Sequence, residues 1–297
     1  MKNDEGIKLC GVLNINKPLG ITSFDVVRQV KRLAREKKVG HGGTLDPEAA
    51  GVLPVCIGRA TKAIDFIMDN HKEYIAELKL GVITDTYDRE GKILKEMSVT
   101  CSEEQVINAV KKFTGTIDQI PPMYSALKVN GKKLYELARQ GIEVERQSRP
   151  VTIDNIEVLS MELSIVKIKV NCSKGTYIRS LCYDIGNELG CGAMMWSLTR
   201  TATGPFDINN SVDLQDLTEE NIGQYLLPLE KVFEKYKVLR VNQKFERLLI
   251  NGVAIQDKAL VKGVLENIKY AVYSESEVFI GIGTLEEKGF KLTKLFI

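Results

Sequence analysis

His41-Gly42-Gly43-Thr44-Leu45-Asp46-Pro47-Glu48-Ala49-Ala50-Gly51-Val52-Leu53-Pro54 is the stretch on which the reading of this chain turns. Two glycines ahead of Asp46 permit backbone conformations closed to other residues and allow a ligand to approach the main chain. Asp followed by Pro is also the pattern of a helix N-cap and a first helical residue, so Asp46 reads equally well as the start of a helix. The two readings are compatible, because a carboxylate that orders its own loop can still face a cleft.

Upstream of this stretch, residues 11–15 read as a short buried strand that ends before the turn Lys17-Pro18-Leu19-Gly20. Thr22 or Ser23 then caps a helix predicted to run to about Lys37, with Val26, Val27, Val30, Leu33 and Ala34 on its apolar side. Arg28, Lys31, Arg32 and Arg35 recur at i, i+3, i+4 and i+7 roughly opposite. That row is either a solvated outer face or a phosphate-facing stripe.

Downstream, residues 74–80, 153–160 and 163–170 read as strands. Ser102 caps a helix with Glu103 and Glu104 in its first turn and Val106, Val110 and Phe113 on one face. Residues 177–189 form another amphipathic helix. Strands and helices mix without a regular βαβ repeat, which predicts an α+β fold on a mixed sheet rather than a doubly wound one.

Residues 121–149 differ: they open on Pro-Pro, carry Lys128, Lys132, Lys133, Arg139, Arg146 and Arg149, and contain an Asn130-Gly131 turn. They read as a projecting, partly helical insertion, either a flexible surface loop or a nucleic-acid clamp. The pattern changes again around Leu226-Leu227-Pro228-Leu229. From Lys237 come a short strand, a helical stretch at 243–251, and strands at 269–274, 278–285 and 290–296, the last two joined by the turn Glu286-Glu287-Lys288-Gly289. Two domains are expected, 1–236 and a small β-rich unit at 237–297 on which the main core does not depend.

Bulk properties exclude more than they assert. A net charge of +2, from 41 basic and 39 acidic residues, is silent about nucleic acid, since what matters is where the charge lies. Six scattered cysteines without a CxxC pair, and only two histidines (His41 and His71), argue against structural zinc. The N-terminal MKNDEGIKLCGVLNINK lacks the apolar core of a signal peptide, and no run approaches the roughly 20 apolar residues of a membrane helix, so a cytoplasmic protein is expected. Residues 81–91 are acidic but misspaced for calcium. Ser173-Lys174-Gly175-Thr176 lacks the upstream glycine of a P-loop, and no nucleophile elbow exists.

GVLNINKPLG at 11–20, HGGTLDPEAAGVLP at 41–54, Lys72-Glu73-Tyr74, the segment 81–91, and Ser173-Lys174-Gly175-Thr176-Tyr177-Ile178-Arg179 follow one another in this order. Together they closely resemble the bacterial tRNA pseudouridine-55 synthase family over about residues 11–230, and the tail resembles that family's C-terminal PUA RNA-binding domain. The resemblance implies a pseudouridine synthase fold with an RNA-binding cleft across its sheet. It also implies isomerisation of uridine to pseudouridine at position 55 in the T-loop of tRNA, by base flipping, glycosidic cleavage and C5–C1′ rejoining. Asp46 is then the catalytic carboxylate. Tyr74 stacks on the base and removes its C5 proton, and Arg179 pairs with Asp46 with Asp88 behind it. Leu198 packs against the uracil and His41 fills the space the flipped base leaves. Tyr177 lies near the site, and Lys17, grouped with the substrate-binding residues, supports the active-site loop. Gly42 and Thr44 stand where the family commonly has threonine and alanine, which bears on the rigidity of that loop.

The chemistry agrees with those roles. The reaction involves no redox change and loses no group, so neither cofactor nor metal is needed. A carboxylate can attack C1′, as in retaining glycosidases, or remove a neighbouring sugar proton. Either role needs Asp46 ionised, which a paired arginine favours. The expected partner is the T-stem–loop of tRNA, bound by a monomer with no membrane and no obligate protein partner. Two competing readings are a catalytically silent RNA-binding or folding protein and a guide-RNA-dependent synthase. The joint presence of Asp46, Tyr74 and Arg179 argues against the first, and the basic insertion against the second.

Overall fold

The structure, a computed structural model, describes residues 9–129 and 131–297, so Asn130 of the predicted turn and the first eight residues lie outside the described residues. Strand β1 (Gly11–Lys17) is buried almost throughout and leads into helix α1 (Ser23–Leu33). Thr22 closes a capping box with Asp25: its hydroxyl accepts from the Asp25 amide while the Asp25 carboxylate accepts from the Thr22 amide. Val26, Val27 and Val30 enter the main core. The helix stops at Leu33, short of the expected Lys37, because Arg35 adopts a left-handed φ of 48°. Arg28 pairs with Asp25 and Arg35 with Glu219, so the row of cations is partly neutralised.

In chain order there follow β2 (Val39–His41), β3 (Ala49–Ile57), α2 (Ile64–Asp69), β4 (Lys72–Leu80) and the hairpin of β5 (Val82–Thr84) with β6 (Ile93–Glu96). Then come α3 (Glu103–Lys111), capped by Ser102 as expected, β7 (Gly115–Gln119), and the short pair β8 (Lys128–Val129) and β9 (Lys132–Lys133). Next are α4 (Leu134–Ala138), the long hairpin of β10 (Arg149–Glu162) and β11 (Ile165–Cys172), α5 (Ile178–Glu188) and β12 (Ala193–Thr203). Three two-residue strands, β13 (Phe206–Asp207), β14 (Val212–Asp213) and β15 (Leu226–Leu227), complete an eleven-stranded mixed sheet. Its main path is β14-β1-β3-β12-β4-β11-β10-β7, so the expected α+β mixed-sheet class holds.

Strand β4 lies near the middle, and its period-two pattern organises the sheet. Tyr74, Ala76, Leu78 and Leu80 point into the main core, packed with α1, α3 and α5 residues. Glu73 and Glu77 take the other face, where they pair with Lys169 at 3.0 Å and Lys167 at 4.0 Å on the neighbouring strand. Strand β12 runs parallel to β3 and antiparallel to β4, which sets Leu198 beside both Ala49 and Ala76 and Arg200 beside both Gly51 and Tyr74. Residues 121–149 have a small core of their own in Met123, Leu134 and Leu137. On their surface Tyr135 carries the cations of Lys133 and Arg139 at 5.3 and 5.5 Å from its ring.

A separate four-stranded sheet is built from β16 (Lys237–Val241), β17 (Lys269–Ser274), β18 (Phe279–Glu286) and β19 (Gly289–Leu295), with helices α6 (Gln243–Ile250) and α7 (Lys258–Val261) between the first two strands. Phe245, Leu249, Tyr270 and Phe290 form its own core. Its opposite face is not free. Ala271, Phe279, Ile282 and Phe296 pack with Ile67, Phe206, Val232 and Phe233 of the main body, and the Phe233 ring lies 5.2–5.4 Å from those of Phe66, Phe279 and Phe296. No residue of the tail enters the main core, yet this second cluster joins the tail to the body, a contact the expected division into two units did not include. The signal was present in Phe279-Ile280-Gly281-Ile282, a continuous apolar run of the kind that marks a strand covered on both faces.

Phe233→Ala is expected to lower the unfolding free energy by about 3–5 kcal/mol in a urea titration, the usual cost of emptying a buried aromatic site. Removing residues 237–297 is expected to leave an aggregation-prone body, since the aromatic seam becomes solvent-exposed. A soluble, fully stable truncated chain would show that the seam contributes nothing.

Candidate active site

Asp46 does not begin a helix. Its carbonyl accepts from the Ala49 amide at 3.1 Å, Pro47 and Glu48 make a turn, and the chain passes into β3. The loop that carries it is fastened on three sides. Ser23 of α1 grips Leu45, its hydroxyl donating to the carbonyl at 3.1 Å and accepting from the amide at 2.9 Å. Lys17, at the end of β1, donates from Nζ to the carbonyls of Pro18 at 2.7 Å, Ile21 at 2.8 Å and Pro47 at 3.3 Å. Arg200 of β12 reaches the carbonyls of Val52 at 2.7 Å, Gly43 at 3.1 Å and Thr44 at 3.4 Å.

Two glycines make this fastening possible. Gly51 has φ of 103°, and a Cβ there would stand 2.2 Å from the Arg200 carbonyl oxygen, so only glycine lets β3 and β12 meet. At Gly42 a Cβ would lie 2.4 Å from Ile67 Cγ2. Ile67 thus fills the space a threonine would need, and the loop is packed without one.

The Asp46 side chain is 41% exposed, and its Oδ2 lies 3.1 Å from Nη2 of Arg179. Arg179 enters from the first turn of α5 and is buried. A cation there opposes the helix dipole, and anionic partners offset the conflict. Its Nη1 lies 3.3 Å from Asp88 Oδ2, and Nη2 donates to the Tyr124 carbonyl at 2.7 Å. Asp88 is fixed in turn by the Thr86 hydroxyl at 2.5 Å and the Glu90 amide at 3.2 Å. Tyr87, between them, holds a left-handed φ of 63°, which is uncommon for so bulky a residue. Stacking on Tyr183 at 4.1 Å and a 2.9 Å bond from the Met195 amide to its carbonyl hold it there.

The remaining residues singled out in the sequence lie on the neighbouring strands, helix and loop. Tyr74 is 9% exposed; burial pushes its phenol up, with Arg200 opposing. Tyr177 caps α5, and Gln119 clasps its backbone, donating to the carbonyl at 3.0 Å and accepting from the amide at 2.8 Å. Burial raises the Tyr177 phenol as well. Burial and Arg200 hold the His41 imidazole below its ordinary range, and its Nδ1 accepts from the Gly43 amide at 3.4 Å. Leu198 is buried on β12.

Lys17 is wholly buried, so grouping it with substrate-binding residues is corrected: its ammonium is consumed by three carbonyls and it supports the loop from behind. Sequence reasoning missed Arg200 and Gln119. A signal for the first existed, a cation two residues beyond Leu198 on the same strand face; Gln119 carried none. Among the described residues no group of three or more His, Cys, Asp or Glu is arranged to hold a metal, and no helix is long and apolar enough to cross a membrane.

Comparison with known proteins supplies the context for this geometry. Residues 31–178 match the sequence model of the TruB family pseudouridylate synthase N-terminal domain, and residues 179–234 that of the tRNA pseudouridylate synthase B C-terminal domain. The chain is 58% identical to tRNA pseudouridine synthase B of Clostridium acetobutylicum over 96% of its own length and 99% of the relative's. To the protein of the same name from Clostridium tetani it is 57% identical over 97% and 99%. Among solved structures it is similar to a chain of a Cbf5–Nop10–Gar1 complex, with a TM-score of 0.75 and 29% identity over 97% of this chain and 85% of the other. It is also similar to a chain of an H/ACA RNP bound to a substrate RNA containing 2′-deoxyuridine, with a TM-score of 0.73 and 27% identity over 97% and 85%.

The buried loop support makes a pH prediction. Burial pulls Lys17 down from 10.5 to about 8, with Asp46 and Glu48 opposing. The folded state therefore releases this proton before the unfolded state does, and stability rises with pH between those two values. The unfolding free energy of the parent relative to Lys17→Met is expected to grow by up to about 3 kcal/mol across that window. A difference that stays flat with pH in parallel urea titrations would mean that Lys17 titrates like an exposed lysine.

Proposed function

The chain belongs to the TruB family of pseudouridylate synthases, and from that premise we propose that Asp46, held by Arg179, reacts at the sugar while Tyr74 takes the proton from the base. The protein is an isomerase that converts uridine to pseudouridine in tRNA. The observation that carries the assignment of roles is the charge chain Asp46–Arg179–Asp88, with contacts of 3.1 and 3.3 Å around one buried guanidinium.

In this reading the uridine is position 55 of the T-loop, and it leaves its stack before reacting. Arg179 engages one oxygen of the Asp46 carboxylate, leaving the other for the sugar. The N1–C1′ bond breaks, the uracil turns, and C5 joins C1′. Tyr74 and Leu198 supply the faces against which the ring is held, and Tyr177 closes one side. His41, kept neutral, can occupy the vacated stacking space without placing a charge there. Asp88 fixes the arginine and does not touch the substrate.

The RNA grip is assigned to the insertion at 121–149, whose Lys128, Lys132, Arg139 and Arg149 are exposed, and to the PUA-like unit at 237–297 beyond the catalytic domain at 1–236. Lys133 and Arg139 beside Tyr135 suit phosphates, and its ring suits an unstacked base. With its own gripping element, the enzyme acts as a cytoplasmic monomer on free tRNA and needs no guide RNA or protein partner.

Asp46→Asn preserves size and removes charge; no measurable pseudouridine is expected by carbodiimide mapping of an unmodified tRNA transcript. Binding of tRNA should change by less than about 1 kcal/mol, since phosphate contacts are untouched. Turnover within about tenfold of the parent, only about 1.4 kcal/mol of barrier, would take Asp46 out of the reaction.

Arg179→Lys is expected to be nearly as damaging as Arg179→Ala, because an ammonium lacks the planar fork that holds two carboxylates at once. Near-parental single-turnover rates in the lysine protein would reduce Arg179 to bulk charge.

A further inference from the structure

Arg200 is the largest side chain removed from solvent, at 1% exposure. Among the described residues no carboxylate lies within ion-pair distance of it, and its three acceptors are the neutral carbonyls of Gly43, Thr44 and Val52. A buried cation without an anionic partner is costly and calls for an explanation beyond packing.

The three carbonyls flank Asp46 along the chain, while the ladder sets Arg200 opposite Tyr74. Both side chains are buried on the same face of the sheet, and the Arg200 charge acts on the Tyr74 hydroxyl. Around that hydroxyl, Cys172 from β11 and Asp46 from the loop disfavour a negative charge, and Arg200 from β12 is the cation that favours one. The same charge is felt by His41, Lys17 and Lys72, each pushed toward its neutral form.

We propose that Arg200 is a positioning residue for the reaction: it ties the Asp46 loop to the Tyr74 strand and supplies the positive charge that lets the Tyr74 oxygen carry a negative one. The inference rests on Tyr74 as the acceptor of the C5 proton. In that step the C5–H bond breaks, its electron pair restores the conjugation of the uracil ring, and the proton passes to the Tyr74 oxygen, which needs the phenolate at the outset and releases the proton to solvent afterwards.

The test uses the full chain with Arg200→Gln, which removes the charge, and Arg200→Lys, which keeps it. Tyr74 ionisation is read by ultraviolet difference titration of each protein against its Tyr74→Phe counterpart, beside single-turnover rates on unmodified tRNA transcript across pH. The glutamine protein should raise the Tyr74 midpoint by about one unit or more and lose about tenfold in rate per unit at fixed pH below it. The transcript's KM should be unchanged. The lysine protein should hold the midpoint within about half a unit. An unchanged midpoint in the glutamine protein, with a rate lowered equally at every pH, would make Arg200 a scaffold only and overturn the proposal. Should the glutamine protein fail to fold, the parent decides, because a single-turnover rate that does not rise with pH below the Tyr74 midpoint would mean that no tyrosinate is needed and would overturn the proposal. A Tyr74→Phe protein of parental rate would instead sink the reading of Tyr74 itself, and the titration distinguishes the two failures.

Discussion

One buried guanidinium sets the terms for the site. Arg179, in the first turn of α5, has to find anionic or carbonyl partners on every side, because it is buried and the helix dipole is unfavourable. It finds them in three segments distant along the chain: Asp46 from the loop before β3, Asp88 and Thr86 from the bend after β5, and Tyr124 at the root of the insertion. Satisfying that one side chain draws the loop, the bend and the insertion to the end of α5. Lys17 and Arg200 then lock the loop from behind through main-chain carbonyls. The Asp46 carboxylate is thereby oriented from two directions, the arrangement that pre-organised electrostatic catalysis needs.

Much of this was legible in the sequence wherever one local rule decided the outcome. Capping residues marked α1 and α3, period two marked β4, and the Glu286–Gly289 turn marked the last hairpin, all through interactions a few residues apart. The linear pattern failed where tertiary contact overrode it. Asp46-Pro47 satisfies a helix-start pattern, yet the parallel ladder to β12 makes the next residues a strand. Lys17 gave no local hint that its ammonium would be surrounded by carbonyls. Arg200 lies between two threonines, and the spacing from Leu198 that marks its face does not reveal that the strand is enclosed by two others. Asp46, Arg179 and Asp88 carried signals as single residues, but their mutual contact is a property of the assembled sheet.

The insertion illustrates a second kind of dependence. It has its own apolar centre, yet one of its carbonyls, that of Tyr124, is bonded to the same guanidinium that holds Asp46. The element assigned to RNA binding and the element assigned to chemistry therefore share a hydrogen-bond acceptor network, and neither can shift far without being felt by the other.

The aromatic seam between the two sheets has a geometric consequence. A tail joined by a flexible tether samples a cloud of positions, and a second contact then adds an effective concentration set by tether length. Phe66, Phe233, Phe279 and Phe296 interlock instead, so the tail surface is carried at a fixed distance and angle from the Asp46 loop. A nucleic acid that engages both surfaces meets a caliper with rigid jaws, and its own length and bend between the two points become a criterion of selection, applied without reading a single base.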